Sequence, residues 1–452
     1  MFNNTKINTG TVSERKNINR QILSLAVPSM LANITVPLVG IVDMAIVGHI
    51  SDAVAIGGIA IGTMLFDLLY WNFAFLREGT GGLTAQAFGR KDVAAQGQLL
   101  TQGLFISVAG ALVIWLIQWL YVSLVMLFVP CSTEVADFAT RYFYIRIWAA
   151  PATLSAMAIK GWLIGMQNTI GAMVCDLTIN ITNIVSSYVL AYYSPLGVMG
   201  VAWGTLIAQY TGLITGLGII TFKYPEVIKL IDIRDSLQIN KLKRLLVLNG
   251  NLVIRSICML IIYVGFTSIA SEYGDNELAV SAIMMKMFML FSYFVDGFAY
   301  AGEALTGKYI GSKNRHLLVA SIKWLFAWAV SVGIIFTLIY WLAGTDTIAI
   351  LTSDPKVIEG SKPFVIWLVL MPLVSCTAFM WDGIYIGATA GIEIRNSMIW
   401  AAISFVVVYA TLFSAAGIHA LYAAYFAHLA ARFIYLSAIW KKFILKLGIN
   451  GW

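Results

Sequence analysis

Apolar runs of about twenty residues, each long enough to cross a hydrocarbon core as a helix, recur twelve times between Ile22 and Trp440. That pattern settles most of what the chain can become. Inside a bilayer no water is available to satisfy backbone N–H and C=O groups, so every spanning segment must close its own hydrogen bonds as a helix or join a closed barrel. Barrel strands are half as long and alternate polar with apolar residues; these runs do neither. With 60% hydrophobic and only 11% charged residues among 452, the chain reads as an all-α polytopic membrane protein.

The spans are expected at about 22–48, 53–77, 94–121, 138–165, 170–193, 197–222, 245–270, 278–302, 317–343, 361–388, 394–416 and 419–440. Gaps after even-numbered spans hold Arg90 and Lys91, then Lys223, Lys229, Arg234, Lys241, Lys243 and Arg244, then Lys313 and Arg315, then Arg395. Gaps after odd-numbered spans carry acids such as Asp52, Glu134, Glu272, Asp275 and Glu277 instead. Basic loops stay on the cytoplasmic side, which places both termini there: an arm at 1–21 with Lys6, Arg15, Lys16 and Arg20, and a tail at 441–452. The apolar run after the arm is too long for a signal-peptide core, so the arm is expected to be retained. The net charge of +7 is explained by this topology, and nucleic acid is not expected as a partner. Cys131, Cys175, Cys258 and Cys376 are too scattered for a disulfide framework or a zinc site.

The longest hydrophilic gap, 223–244, falls at the midpoint, and the sequence repeats itself on either side. GLTAQAFGRK from Gly82 matches ALTGKYIGSK from Ala304, a shift of 222 residues, and KGWLIG from Lys160 matches DGIYIG from Asp382 at the same shift. Pro151 matches Pro372 at one less. The reading is two pseudo-symmetric six-helix bundles, 22–222 and 245–440, joined by the linker 223–244 and arranged around a central cavity. Six helices is an even number, so both halves share one orientation, the parallel-repeat arrangement of transporters. Gly161 and Gly383, and likewise Gly165 and Gly387, should mark equivalent close helix contacts, since small residues let backbones approach.

Charge inside the spans then becomes informative. Asp43 is the only acid between Ile22 and Ile50, and a carboxylate there costs about 2.5–3.5 kcal/mol on insertion scales, so it should face protein or a watery cavity. Such a group can carry a proton between two states of different solvation, or hold sodium together with other oxygens. The alternative is a helix cap near the outer surface, with Asp52 close behind. In the fifth span Asp176, Asn180, Asn183 and Ser187 share one helical face by their spacings of four, three and four. Asn180 and Asn183 line a cavity or serve as interhelical hydrogen-bonding glue, worth about 0.6 kcal/mol per contact. Lys160, Arg255, Asp296 and Asp382 are further intramembrane charges, together with Lys286 and Glu303. Lys160 and Asp382 occupy repeat-equivalent positions with opposite sign, which suggests a bridge between the halves; Arg255 is the rival partner for Asp382 or Asp296 in a structural pair. Arg77 and Glu78 are expected to snorkel at a helix end. The histidines His49, His316, His419 and His428 make no ligand spacing, and no hydrolase or P-loop pattern is present. No cofactor is expected beyond a coupling ion, H⁺ or else Na⁺.

LVGIVDMAIVGHI in the first span, FLREGTGGLTAQAFGRKD after the second, GWLIGMQN, NITNIV, GVMGVAWGTLIAQY, and WDGIYIGAT with RNSM resemble multidrug and toxic compound extrusion transporters over almost the whole chain. The likeness is strongest to the DNA-damage-inducible F branch. It implies a bacterial inner-membrane antiporter that expels organic compounds, often cationic or amphipathic, against inflowing protons or sodium ions, working as a monomer with the lipid bilayer and small organic substrates as its partners. It also implies a cation-coupling role for Asp43, whose position matches the family's first-helix acid. This chain departs from the pattern where many relatives have Asn-x-x-x-Asp: Asn183 is followed by Ser187, so a two-acid sodium site is in doubt.

A lipid-linked precursor flippase is the rival within transport; it predicts a strongly basic cavity, whereas acids and bases here are nearly balanced. An intramembrane enzyme should show a nucleophile–base or metal constellation and a channel should show a repeated filter, and neither is visible.

Overall fold

The computed structural model describes residues 12–50, 53–129 and 131–450. Lys6 of the arm, Asp52, and Gly451 and Trp452 of the tail lie outside the described residues. Within them there is no strand, and twelve long helices run in chain order: α1 Val12–Ile50, α2 Val54–Arg90, α3 Val93–Met126, α4 Thr133–Gly165, α5 Thr169–Tyr193, α6 Met199–Lys223, α7 Ile239–Ser271, α8 Asp275–Gly311, α9 Arg315–Ala343, α10 Pro355–Gly387, α11 Gly391–Ala416 and α12 Ile418–Asn450. Eleven are long and apolar enough to cross a membrane. The twelfth is as long but less apolar, because α12 carries His419, His428 and Arg432.

Local chemistry sets the helix starts. The side chains of Asp92, Asn168 and Asn314 accept hydrogen bonds from the backbone N–H groups of Ala95, Gly171 and Leu317 at 3.0, 3.1 and 3.0 Å, satisfying donors that a first helical turn leaves open. Two helices are interrupted. A turn at 72–74 breaks α2, where the Asn72 amide donates to the Leu68 carbonyl at 2.8 Å; α4 tightens to a 3₁₀ turn at Ile147–Ala149 just before Pro151, which has no N–H to give.

The second helix runs on well past its expected end at 77. Its continuation, Phe75–Arg90, contains GTGGLTAQAFG, a glycine- and threonine-rich stretch of poor intrinsic helix propensity that reads as a gap by hydropathy. Tertiary packing holds it helical: a Cβ on Gly161 would lie 2.1 Å from the Arg77 carbonyl oxygen, and one on Gly165 would lie 2.6 Å from that of Gly81.

The same geometry recurs 222 positions later. A Cβ on Gly383 would lie 2.1 Å from the Ala299 carbonyl oxygen, and one on Gly387 would lie 2.2 Å from that of Glu303. The backbone repeats too: Lys91 and Lys313 end their helices at φ 57° and 55°, and Gln167 and Thr389 at 61° and 54°. Non-glycine residues seldom adopt the left-handed region, so two such positions recurring in register are a signature of duplication independent of residue identity. The break in α2 has no counterpart, since α8 is continuous.

By internal packing the chain divides into two units, Leu31–Ile257 and the described residues up to Met30 with those from Cys258 on. Both divisions fall inside helices, α1 and α7, and not in the hydrophilic stretch 223–244. That stretch is itself folded, with short helices at Pro225–Lys229 and Ile233–Ser236. It seats on α3: the Gln102 amide donates to the Ser236 carbonyl at 2.8 Å, and a Cβ on Gly97 would lie 3.2 Å from both the Val227 carbonyl oxygen and the Ile231 side chain.

Candidate functional site

In the Leu31–Ile257 unit, α5 and α6 approach backbone to backbone. A Cβ on Gly204 would lie 2.5 Å from the Ser187 nitrogen, and one on Gly200 would lie 2.5 Å from the Leu190 carbonyl carbon; only glycine permits this. The approach seals Ser187 completely and leaves Asn183 buried. The Asn183 amide donates to Thr205 Oγ1 on α6 at 2.9 Å, and that of Asn180 to Thr35 Oγ1 on α1 at 2.6 Å. Interhelical glue is therefore part of what both asparagines do.

The second half of α1 completes the arrangement. Val42, Ile46 and Val47 pack with Tyr142, Ala191, Val201 and Ala202, which brings Asp43 inward, toward Ser187 on α5 and the side of α4 that carries Arg146. Three buried oxygens at this place have no hydrogen-bond partner among the described residues: Asp43 Oδ1, Asn183 Oδ1 and Ser187 Oγ. Each such group costs about 1–3 kcal/mol, so a cluster of them on facing helices is where a proton or a cation would be received.

Arg146 is the site residue that hydropathy reasoning passed over. Its Nη1 donates to the Tyr142 hydroxyl at 3.1 Å, and its Cζ lies 4.7 Å from the centroid of the Phe66 ring. Tyr142 in turn fills the space over Gly62, where a Cβ would come within 2.6 Å of the ring. The signal was available, since an arginine stands inside the fourth apolar run directly before the Ile-Trp-Ala-Ala-Pro break.

The remaining intramembrane charges pair differently from expectation. Lys160 pairs with Asp176 at 2.7 Å, between α4 and α5, and not with Asp382. Asp382 on α10 pairs with Arg432 on α12, both buried. Arg255 pairs with Glu78 at 2.6 Å and not with Asp382 or Asp296. Glu78 is only 6% exposed, so snorkelling does not describe it: the α2 continuation carries it into the protein, against the first half of α7. Asp296 lies half-buried on α8. The sequence pointed to five of these charges, Lys160, Asp176, Arg255, Asp296 and Asp382, but missed Arg432 and misjudged Glu78, because partners come from helix packing and not from repeat equivalence. No group of three or more His, Cys, Asp or Glu side chains that could hold a metal ion occurs among the described residues; the Asp43 cluster offers one carboxylate and neutral oxygens.

A duplicated array of bilayer-length helices with a buried carboxylate among unsatisfied oxygens defines the class as a polytopic membrane transporter. The chain belongs to the MatE family, whose model matches residues 28–189 and 252–424, one stretch in each repeat. Its members are transporters and not enzymes. The chain is 34% identical over 428 residues, 94% of its own length and 92% of the relative's, to the DNA damage-inducible protein F of Escherichia coli K12. Among solved structures it is similar in fold to a MATE transporter crystallised in complex with MaL6, with a TM-score of 0.83, 18% identity and 99% of each chain covered. It is similar also to an outward-facing multidrug resistance MATE family transporter of the MOP superfamily, with a TM-score of 0.81, 18% identity, and 98% of this chain and 100% of that one covered.

Proposed function

We propose that this chain is a secondary active antiporter that exports organic, often cationic or amphipathic, compounds in exchange for an inflowing cation by alternating access. The observation that carries the reading is the meeting of Asp43 with Ser187 and Asn183, three buried oxygens without hydrogen-bond partners among the described residues, on α1 and α5. The unpartnered Oδ1 of this carboxylate can receive an ion, and exchanging that ion between the two sides of the membrane would couple its gradient to a change of conformation. One charge moving through 100 mV supplies about 2.3 kcal/mol. The multidrug resistance named for the outward-facing structural neighbour extends to this chain as part of the proposal. So do a bacterial inner-membrane location, cytoplasmic termini, action as a monomer without nucleic acid, and a requirement for no cofactor beyond the coupling ion.

The test is dye efflux from vesicles in which proton and sodium gradients are imposed separately. Wild-type protein should export a cationic dye when one gradient is applied, and Asp43→Asn should lose that export while still binding the dye. Gradient-driven export at wild-type rate by Asp43→Asn would remove the coupling role from this site.

A further inference from the structure

We propose that Asp67 recognises the positive charge of an exported compound, on a water-facing side of α2 whose outline recurs on α8. This role rests on the export reading given above and adds to it a residue that selects cations, separate from the coupling carboxylate Asp43.

One side of α2 is taken up by packing. A Cβ on Gly58 or Gly62 would run into the ring of Phe138 or Tyr142 on α4. Leu65 and Leu69 are buried with Phe143, and the Tyr121 hydroxyl on α3 donates to the Leu65 carbonyl at 2.6 Å. Positions 58, 62, 65 and 69 follow the helical repeat, and positions 60, 64, 67 and 71 follow it two residues later, on the opposite side. There Ala60 and Asp67 are exposed, and Met64 and Trp71 are half-buried.

The same side is open in α8, 222 positions on. Met284, Met285, Phe288 and Phe291 are buried, whereas Ala282 and Lys286 are exposed and Met289 and Tyr293 half-buried. Each open side therefore holds an alanine, a methionine, an aromatic ring and one charge, and what the repeats do not share is the sign of that charge. Asp67 lies 13 residues after Val54 and ten before Arg77, roughly 20 Å and 15 Å by helical rise. A carboxylate that deep is too short to reach the headgroups and does not face acyl chains. Since its side is exposed and not packed on protein, it faces water.

Chemistry then limits what this side of α2 binds. A compound lying on it meets a carboxylate with a thioether and an indole one helical turn to either side. A thioether adapts to irregular apolar shapes, an indole attracts cations over its face, and the carboxylate adds a full negative charge. A lipophilic organic cation satisfies all three, and an anion of the same shape is repelled. On α8 the lysine reverses that preference.

The experiment uses the full-length chain, purified and reconstituted, with tetraphenylphosphonium and tetraphenylborate, which share a shape and differ in sign. Equilibrium binding of each is measured for wild-type, Asp67→Asn, Asp67→Glu and Met64→Lys, with melting temperature as the check on folding. Wild-type should prefer the cation. Asp67→Asn should weaken tetraphenylphosphonium binding roughly tenfold, between the water and protein-surface limits for one charge contact, without weakening tetraphenylborate binding. Met64→Lys, which gives α2 the charge that α8 carries at the equivalent position, should do the same, and Asp67→Glu should keep the preference. In a chain whose native cysteines are replaced by alanine, Ala60→Cys should react with a water-soluble thiol reagent, and tetraphenylphosphonium should slow the reaction. Cation binding by folded Asp67→Asn equal to that of wild-type would overturn the role of Asp67 alone. So would equal loss of both probes, or an Ala60→Cys that reacts only with lipid-soluble reagents. A wild-type protein that neither binds nor exports the cation would defeat the export of cationic compounds itself, and this role with it.

Discussion

The backbone contact shared by the two repeats makes the sharpest quantitative prediction. In Gly161→Ala the new Cβ would sit 2.1 Å from the Arg77 carbonyl oxygen, whereas ordinary contact begins at 3.4 Å; the helices must separate by the difference, roughly 1.3 Å at that point. A backbone oxygen has no rotamer to retreat into, so the strain falls on the packing of the whole helix pair, at about 1–3 kcal/mol for overpacking. Alanine's better helix propensity returns about 1 kcal/mol. The expected net loss is therefore about 0–2 kcal/mol, with the upper end expected because the clash is with backbone, a fall of up to a few degrees in melting temperature. Gly383→Ala meets the Ala299 oxygen at the same 2.1 Å and should lose the same amount. Gly218 and Gly250 are the controls: both are helical, and a methyl group at either would meet nothing within 4 Å, so alanine there should be neutral or stabilising. The assay is thermal unfolding of detergent-purified variants followed by size-exclusion chromatography. If Gly161→Ala and Gly383→Ala both match Gly218→Ala, or if only one of the pair is destabilised, the argument from a duplicated backbone contact fails.

Three further outcomes follow from the same structure. Glu78→Ala removes the carboxylate that Arg255 pairs with in a buried place and should cost up to about 3–5 kcal/mol, with much of the loss recovered in Glu78→Gln/Arg255→Met; folding yield and melting temperature check this, and equal defects in the single and double variants would count against the pair. Ser187→Asp puts a second acid beside Asp43 and should introduce sodium dependence into efflux, measurable as sodium-stimulated dye export at constant pH; export that stays indifferent to sodium would argue against a site limited by its acid count. For topology, a cysteine at exposed Ile233 should resist an impermeant reagent applied to intact cells and react in inverted vesicles. Ser236 is buried in the same segment and would report packing instead.

Much of this protein was legible in its sequence because a bilayer removes choices. Twelve apolar runs had to become helices, and the glycines of KGWLIG and DGIYIG had to mark equivalent contacts, since a spacing of 222 residues survives in the text whatever the helices do in space. Asp43 was visible as the one acid in its run, and Ser187 as the missing second. Tertiary structure decided what hydropathy cannot express. The GTGGLTAQAFG stretch is helical only because α4 offers glycines for its carbonyls to approach, which turns an apparent loop into the element that buries Glu78 against Arg255. Lys160 and Asp382 found separate partners, Asp176 and Arg432, because ion pairing depends on a few ångströms between side chains on different helices, and sequence repeats carry no such distances. Arg146 shows the limit most plainly. An arginine in an apolar run reads as a topology signal until Tyr142 and Phe66 are seen holding its guanidinium inside the protein, since a charge acquires its role from what surrounds it in three dimensions.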